Sequence, residues 1–189
     1  MKANQLKSMI PNFLTIMNMS LGIGAIFLLL RPGTEQTKLF CAGLILTGAL
    51  IDALDGRFAR RLNAVTNMGK QLDSFADLIT FGLAPLALLY AAGLLRTGFA
   101  VPLCAWAYPV AGAYRLARYN LGDINNYFTG LPITAAGIIL TLYAAAFLLL
   151  PNLFALVNPL TTSCLLAVLS LMMVSRFKIP RSFWSSRSR

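Results

Sequence analysis

Long apolar runs broken by short polar windows make up the chain. Six stretches are mostly apolar: roughly Phe13 to Leu30, Lys38 to Asp55, Leu72 to Leu95, Phe99 to Leu116, Leu131 to Leu150 and Phe154 to Val174. Each comes near the about 20 residues that a membrane-crossing helix needs. The runs are continuous rather than alternating, which excludes a closed β-barrel. The first run is too long for a signal peptide, and no small-residue cleavage site precedes a soluble mature chain. The pattern predicts an all-α integral membrane protein, a six-transmembrane-helix bundle forming one domain over residues 1–189. Residues 1–12 set Lys2 and Lys7 against Leu6, Met9 and Ile10, which predicts a short interfacial helix. Residues 176–189 are expected as a basic tail whose Phe177, Phe183 and Trp184 suit anionic lipid.

Composition agrees with this reading. Of 189 residues, 58% are apolar and 12% charged, about half the share of soluble proteins. Such a chain is neither disordered nor an ordinary soluble domain. It contains no histidine, which excludes Ser-His-Asp hydrolysis and His-ligated zinc. Cys41, Cys104 and Cys164 lie far apart in apolar runs and are expected as small buried residues, not as ligands or disulfides.

The basic residues orient the bundle. Lys2, Lys7, Arg57, Arg60, Arg61, Lys70, Arg115, Arg118, Arg176, Lys178, Arg181, Arg187 and Arg189 fall on one side; only Arg31, Lys38 and Arg96 fall on the other. The crowded side, with both termini, is therefore expected in the cytoplasm, and the chain in the inner or plasma membrane as a multi-pass protein. Bases that follow topology in this way do not point to nucleic acid.

The acids are few and clustered. Glu35, Asp52, Asp55, Asp73, Asp77 and Asp123 are all there are. Asp52 and Asp55 are three apart at the end of the second run; Asp73 and Asp77 are four apart at the start of the third. Each pair shares a helix face. The short connection, roughly Leu62 to Gly69, predicts antiparallel neighbouring helices whose acid pairs face each other across a cavity on the cytoplasmic side. Four crowded carboxylates need neutralising charge. Aspartate oxygens suit hard divalent cations, and two such ions make a phosphoryl-transfer site. An ion-pair network tying two helix ends together is the alternative. Gly56 admits either a ligand or a neighbouring helix. Arg60 offers a fork to a pyrophosphate, or snorkels to the interface.

The window Asp52 to Asp77 reads D-x2-D-G-x2-A-R-x8-G-x3-D-x3-D. It resembles the signature of the CDP-alcohol phosphotransferase family at all eight fixed positions and both gaps. The six-helix layout is similar too. The resemblance implies a CDP-diacylglycerol or related donor, two divalent ions (Mg²⁺ or Mn²⁺), attack by an acceptor hydroxyl on the lipid-bearing phosphate, and release of CMP. It implies that Asp52 and Asp73 bridge both ions, that Asp55 holds one and Asp77 the other, and that Asp77 is the general base. It places Gly56, Arg60 and Thr66 against the donor, and Asn12 and Thr15 against its cytidine; for Thr15, helix capping is the competing role. It also implies a homodimer among membrane lipids.

Two further segments point to the acceptor. Tyr114-Arg115-Leu116-Ala117-Arg118-Tyr119-Asn120 and Phe128-Thr129-Gly130-Leu131-Pro132 resemble the bacterial membrane-type phosphatidylserine synthases within that family. Ile10 to Thr15 and Met173 to Ser175 fit the same branch. L-Serine is then the implied acceptor. Arg115 and Arg118, three apart, are placed to bind its carboxylate, and Asn120 its amine or hydroxyl. The arginines read otherwise as topological anchors, and Asp123 as a solvated loop acid. Glycerol 3-phosphate, inositol and an ether-lipid donor remain open within the family. A divalent-cation transporter would need polar residues deeper in the bundle, and a scaffold would tolerate loss of an aspartate.

Overall fold

The computed structural model describes residues 2–61, 66–95, 100–121, 127–150, 159–175 and 178–180. Of these, only the backbone is described at 2–10, 58–61, 127–129, 159 and 178–180. Helix α1 spans Lys2–Leu29 and α2 spans Glu35–Arg61. Helix α3, Asn67–Asp77, runs through a π-helical segment, Leu78–Leu83, into α4, Ala84–Ala91. Helix α5 spans Ala100–Asn120, α6 spans Ile133–Leu149 and α7 spans Pro159–Val174. Strands β1, Tyr127–Thr129, and β2, Lys178–Pro180, pair antiparallel.

Helices therefore stand where all six apolar runs predict them. Pro11–Leu29, Glu35–Arg57 and Asn67–Ala91 are long and apolar enough to cross a membrane, while Ile133–Leu149 and Leu160–Val174 are shorter apolar helices among the described residues. Helix α5 is long, but Arg115 and Arg118 dilute its apolar run. Phe13, Phe27, Phe40, Leu50, Trp106 and Leu171 are exposed along the rods. So much outward apolar surface needs a lipid solvent. The chain is a membrane helical bundle.

Two expectations need correction. No separate helix covers residues 1–12, because α1 is continuous from Lys2 through Pro11. Within the expected basic tail, Lys178–Pro180 forms a strand paired with Tyr127–Thr129; Arg176, Phe177 and residues 181–189 lie outside the described residues. Of the cysteines only Cys41 is buried, Cys104 is half-buried and Cys164 is exposed. An outward-facing helix surface in lipid accepts a thiol as readily as a core does.

The π segment sits at the centre of the packing. Pro85, in the first turn of α4, has no N–H to give the Phe81 carbonyl four residues earlier. The helix widens there, and the Tyr108 hydroxyl of α5 donates to that carbonyl at 3.0 Å. Thr80 donates to the Asn18 carbonyl of α1 at 3.1 Å. Small residues let the other helices close on this segment. A Cβ on Gly137 of α6 would stand 2.6 Å from the Phe81 Cβ and 2.8 Å from its backbone. One on Gly22 would stand 2.8 Å from the Thr80 backbone, and one on Gly48 of α2 would stand 2.7 Å from the Asn18 amide oxygen. Four helices thus converge on the segment that begins just after Asp77.

A second junction fixes the start of α6. Gly130 adopts a left-handed φ of 79°, and a Cβ there would meet the carbonyls of Met172, Met173 and Ser175 at 2.8–3.0 Å. The Leu131 N–H bonds to the Met172 carbonyl at 3.0 Å. Pro132 then caps α6. The Gly-Leu-Pro segment is thereby seated on the last turn of α7, whose carbonyls would otherwise lack donors.

Candidate active site

Two helices carry the four acids. Asp52 and Asp55 project from the last turns of α2, Asp73 and Asp77 from α3. Carboxylate oxygens of Asp52, Asp55 and Asp73 all lie within 4.8 Å of one another. Yet the backbones of α2 and α3 scarcely touch; α3 packs on α1, and α2 on α1 and α6. The two acid pairs face each other as the spacing predicts, and the helix that continues from α3 meets α2 further along, at the π segment and α4. Asp77 is buried, contacts Asp52, and keeps one buried oxygen, Oδ1, without a protein partner. Three converging carboxylates and a fourth with an unused oxygen form an all-oxygen donor set. That set fits hard divalent cations.

Helix α1 forms the floor. The Thr15 hydroxyl donates to Asp55 Oδ2 at 3.0 Å and to the Pro11 carbonyl at 3.0 Å. It is buried in mid-helix, so it holds an acid in place rather than capping a terminus. One turn earlier, the Asn12 amide oxygen lies 3.1 Å from where a Cβ on Gly69 would stand. A larger residue there would push on the Asn12 and Thr66 side chains. Thr66 accepts from the Gly69 N–H at 3.0 Å and caps α3. Asn12, Thr66 and Gly69 therefore form one corner beside the acids. Gly56 is half-buried on α2. Arg60 stands one turn further along, and its side chain lies outside the described residues, as do residues 62–65 and Asp123.

Helix α5 supplies the positive side, and its two arginines differ. The Arg115 charge lies close enough to Asp77 to interact with it, and its Nε is buried without a partner. Arg118 also keeps a buried nitrogen, Nη2, without a partner, but it reaches α7 as well. Its Nη1 donates to the Val174 carbonyl at 3.4 Å, and its guanidinium lies 6.0 Å from the Tyr114 ring centre. A cation suits a helix C-terminus. Asn120 donates to the Ser74 hydroxyl of α3 at 2.9 Å, tying α5 to the helix that carries Asp73 and Asp77.

Two neighbours of the acids carry no sequence signal. Thr134, in the first turn of α6, approaches Asp52. Ser74 lies between the two α3 aspartates and binds Asn120. Neither has a motif spacing; the seating of Gly130 and Leu131 on α7 is what delivers Thr134.

Residues 8–179 match the CDP-alcohol phosphatidyltransferase family. The chain belongs to that family. A CDP-diacylglycerol–serine O-phosphatidyltransferase of Bacillus subtilis is 38% identical over 172 residues, covering 90% of this chain and 89% of its own. Proteins of the same name from Helicobacter pylori and Methanocaldococcus jannaschii are each 32% identical, covering 90% and 91% of this chain and 71% and 74% of their own. The matched span contains Asn12, Thr15, all four aspartates, both α5 arginines and the Gly-Leu-Pro segment.

Proposed function

We propose that this chain transfers the phosphatidyl group of CDP-diacylglycerol to L-serine, giving phosphatidylserine and CMP, with two divalent ions, Mg²⁺ or Mn²⁺, held by Asp52, Asp55, Asp73 and Asp77. The observation that carries this reading is the cluster itself: three carboxylates converge within 4.8 Å, and Asp77 beside them keeps a buried oxygen without a protein partner. Relatives named for the serine reaction cover nearly the whole chain. Six spans forming one domain, an opening on the cytoplasmic side, termini in the cytoplasm and a homodimer complete the proposal.

The ions would neutralise the pyrophosphate and the developing charge on the leaving CMP. The chain's residues do the rest. Asn12, Thr15 and Thr66 line the corner proposed for the nucleotide, with Gly56 and Arg60 along the pyrophosphate. Thr15 also fixes the Asp55 carboxylate. Arg115 holds the serine carboxylate and so brings the hydroxyl toward Asp77. Asp77 takes the hydroxyl proton as the oxygen attacks the lipid-bearing phosphorus, and the bond to CMP breaks. A loose transition state makes such a weak base sufficient. Arg118 and Asn120 support this arrangement by holding α5 to α7 and to α3.

The test is CMP release by the purified protein with CDP-diacylglycerol and, in separate reactions, L-serine, glycerol 3-phosphate and inositol. Release with serine alone supports the reading. Release with another alcohol and not with serine moves the chain to another acceptor.

A further inference from the structure

At the end of the bundle opposite the aspartates lies a cavity of about 350 Å³. The last turn of α1 and the residue after it line it with Leu28, Leu29 and Leu30. The connecting turn adds Arg31, Pro32 and Gly33, the first turn of α2 adds Thr37 and Lys38, and the end of α4 adds Tyr90 and Ala91. Lys38 and Asp55 are 17 residues apart on α2, so about 26 Å of helix separates this cavity from the acid cluster.

Its chemistry is divided. Arg31 and Lys38 are two of only three bases assigned to this side by the charge pattern. No side-chain hydrogen bond or ion pair engages either among the described residues. Glu35, the nearest acid in sequence, is not part of the lining. Thr34 caps α2 by accepting from the Thr37 N–H at 3.3 Å, so the cations are the anion-binding groups here, not the helix terminus. Beside them Leu28, Leu30 and Tyr90 are 40%, 71% and 63% exposed. The cavity lies where two membrane-crossing helices, Pro11–Leu29 and Glu35–Arg57, meet the interface. A free phosphate would use the cations and leave the apolar wall bare. A lipid uses both.

We infer that Arg31 and Lys38 form a binding site for the phosphate of an anionic phospholipid in the leaflet facing away from the aspartates, with its acyl chain along Leu28 and Leu30 and its glycerol region beside Tyr90. The site clamps the α1–α2 turn to the end of α4. It is separate from the donor site and does not depend on which alcohol is the acceptor.

The experiment uses the full chain in detergent, with native mass spectrometry and thermal unfolding read against added phosphatidylglycerol, phosphatidylcholine of the same chains, and inorganic phosphate. Phosphatidylglycerol should be retained and should raise Tm, well above the effect of phosphatidylcholine, while inorganic phosphate should do neither. Each base near a membrane surface contributes about a fivefold change in affinity. Arg31→Gln and Lys38→Gln should each weaken retention roughly fivefold, and the double variant roughly 25-fold, with CMP release unchanged. Arg31→Lys should keep most of the binding and shows that the turn still folds. Equal retention of both lipids, a Tm rise with inorganic phosphate alone, or full retention by the double variant would overturn the site.

Discussion

The Tyr108 hydroxyl donates to the Phe81 carbonyl at 3.0 Å, and this bond supplies the donor that Pro85 cannot give that carbonyl, one turn after Asp77. Tyr108 is fully buried, two turns below Arg115 on the same helix. One hydrogen bond therefore links the helix carrying the proposed serine clamp to the segment that follows the proposed base. Tyr108→Phe leaves a buried carbonyl without a donor and should cost about 1–2 kcal/mol of stability. Thermal unfolding in detergent measures this. An unchanged Tm would mean that the π segment holds its shape without α5.

Close approach to that segment makes a paired prediction. A Cβ on Gly137 would meet Phe81 at 2.6 Å, whereas one on Gly24 meets nothing within 4 Å. Gly137→Ala should lose about 1–3 kcal/mol through overpacking. Gly24→Ala should be neutral or stabilising by up to about 1 kcal/mol, because alanine favours helix. Equal effects of the two changes on Tm would contradict the packing described for Phe81.

The two arginines of α5 should separate in kinetics. Arg115→Ala removes a charge-assisted bond to the serine carboxylate, about 1.5–3 kcal/mol, so KM for serine should rise roughly 10–150-fold with little change for CDP-diacylglycerol. Arg118→Ala removes the contact to the Val174 carbonyl and should lower Tm with a smaller change in KM. Serinol, which lacks the carboxylate, should be a poor acceptor and nearly insensitive to Arg115→Ala. If serine and serinol suffer equally, Arg115 supports the fold rather than the acceptor.

Thr15 orients Asp55 from α1. Thr15→Val keeps the shape and removes the hydroxyl. Loss of a group that orients a metal ligand costs 10- to 100-fold in metal affinity. The Mn²⁺ concentration for half-maximal CMP release should rise by that factor, with the KM for serine unchanged. A rise in KM for CDP-diacylglycerol alone would assign Thr15 to the nucleotide.

The helices and the acid cluster were legible because both depend on local spacing. Apolar runs set the helices, and intervals of three and four set the faces of Asp52, Asp55, Asp73 and Asp77. What escaped depends on contacts distant in sequence. The π segment follows from Pro85 together with Tyr108, 23 positions later in sequence. Thr134 reaches Asp52 only because Gly130 and Leu131 dock on the last turn of α7. Arg115 and Arg118 look equivalent three residues apart, and the C-terminal carbonyls of α7 separate them. Strand pairing of Lys178–Pro180 with Tyr127–Thr129 spans about 50 residues and has no alternating pattern to announce it.

The central claim is that four aspartates with divalent ions transfer phosphatidyl groups to serine, with Asp77 as the base. Its most direct test is CMP release from CDP-diacylglycerol and L-serine by the wild type and Asp77→Asn, each with Mn²⁺ and after stripping with EDTA. The wild type should release CMP only with the ion. Asp77→Asn should still bind CDP-diacylglycerol but turn over roughly 10²–10⁴-fold more slowly. Full wild-type turnover after thorough stripping, or near wild-type turnover by Asp77→Asn, would contradict the account.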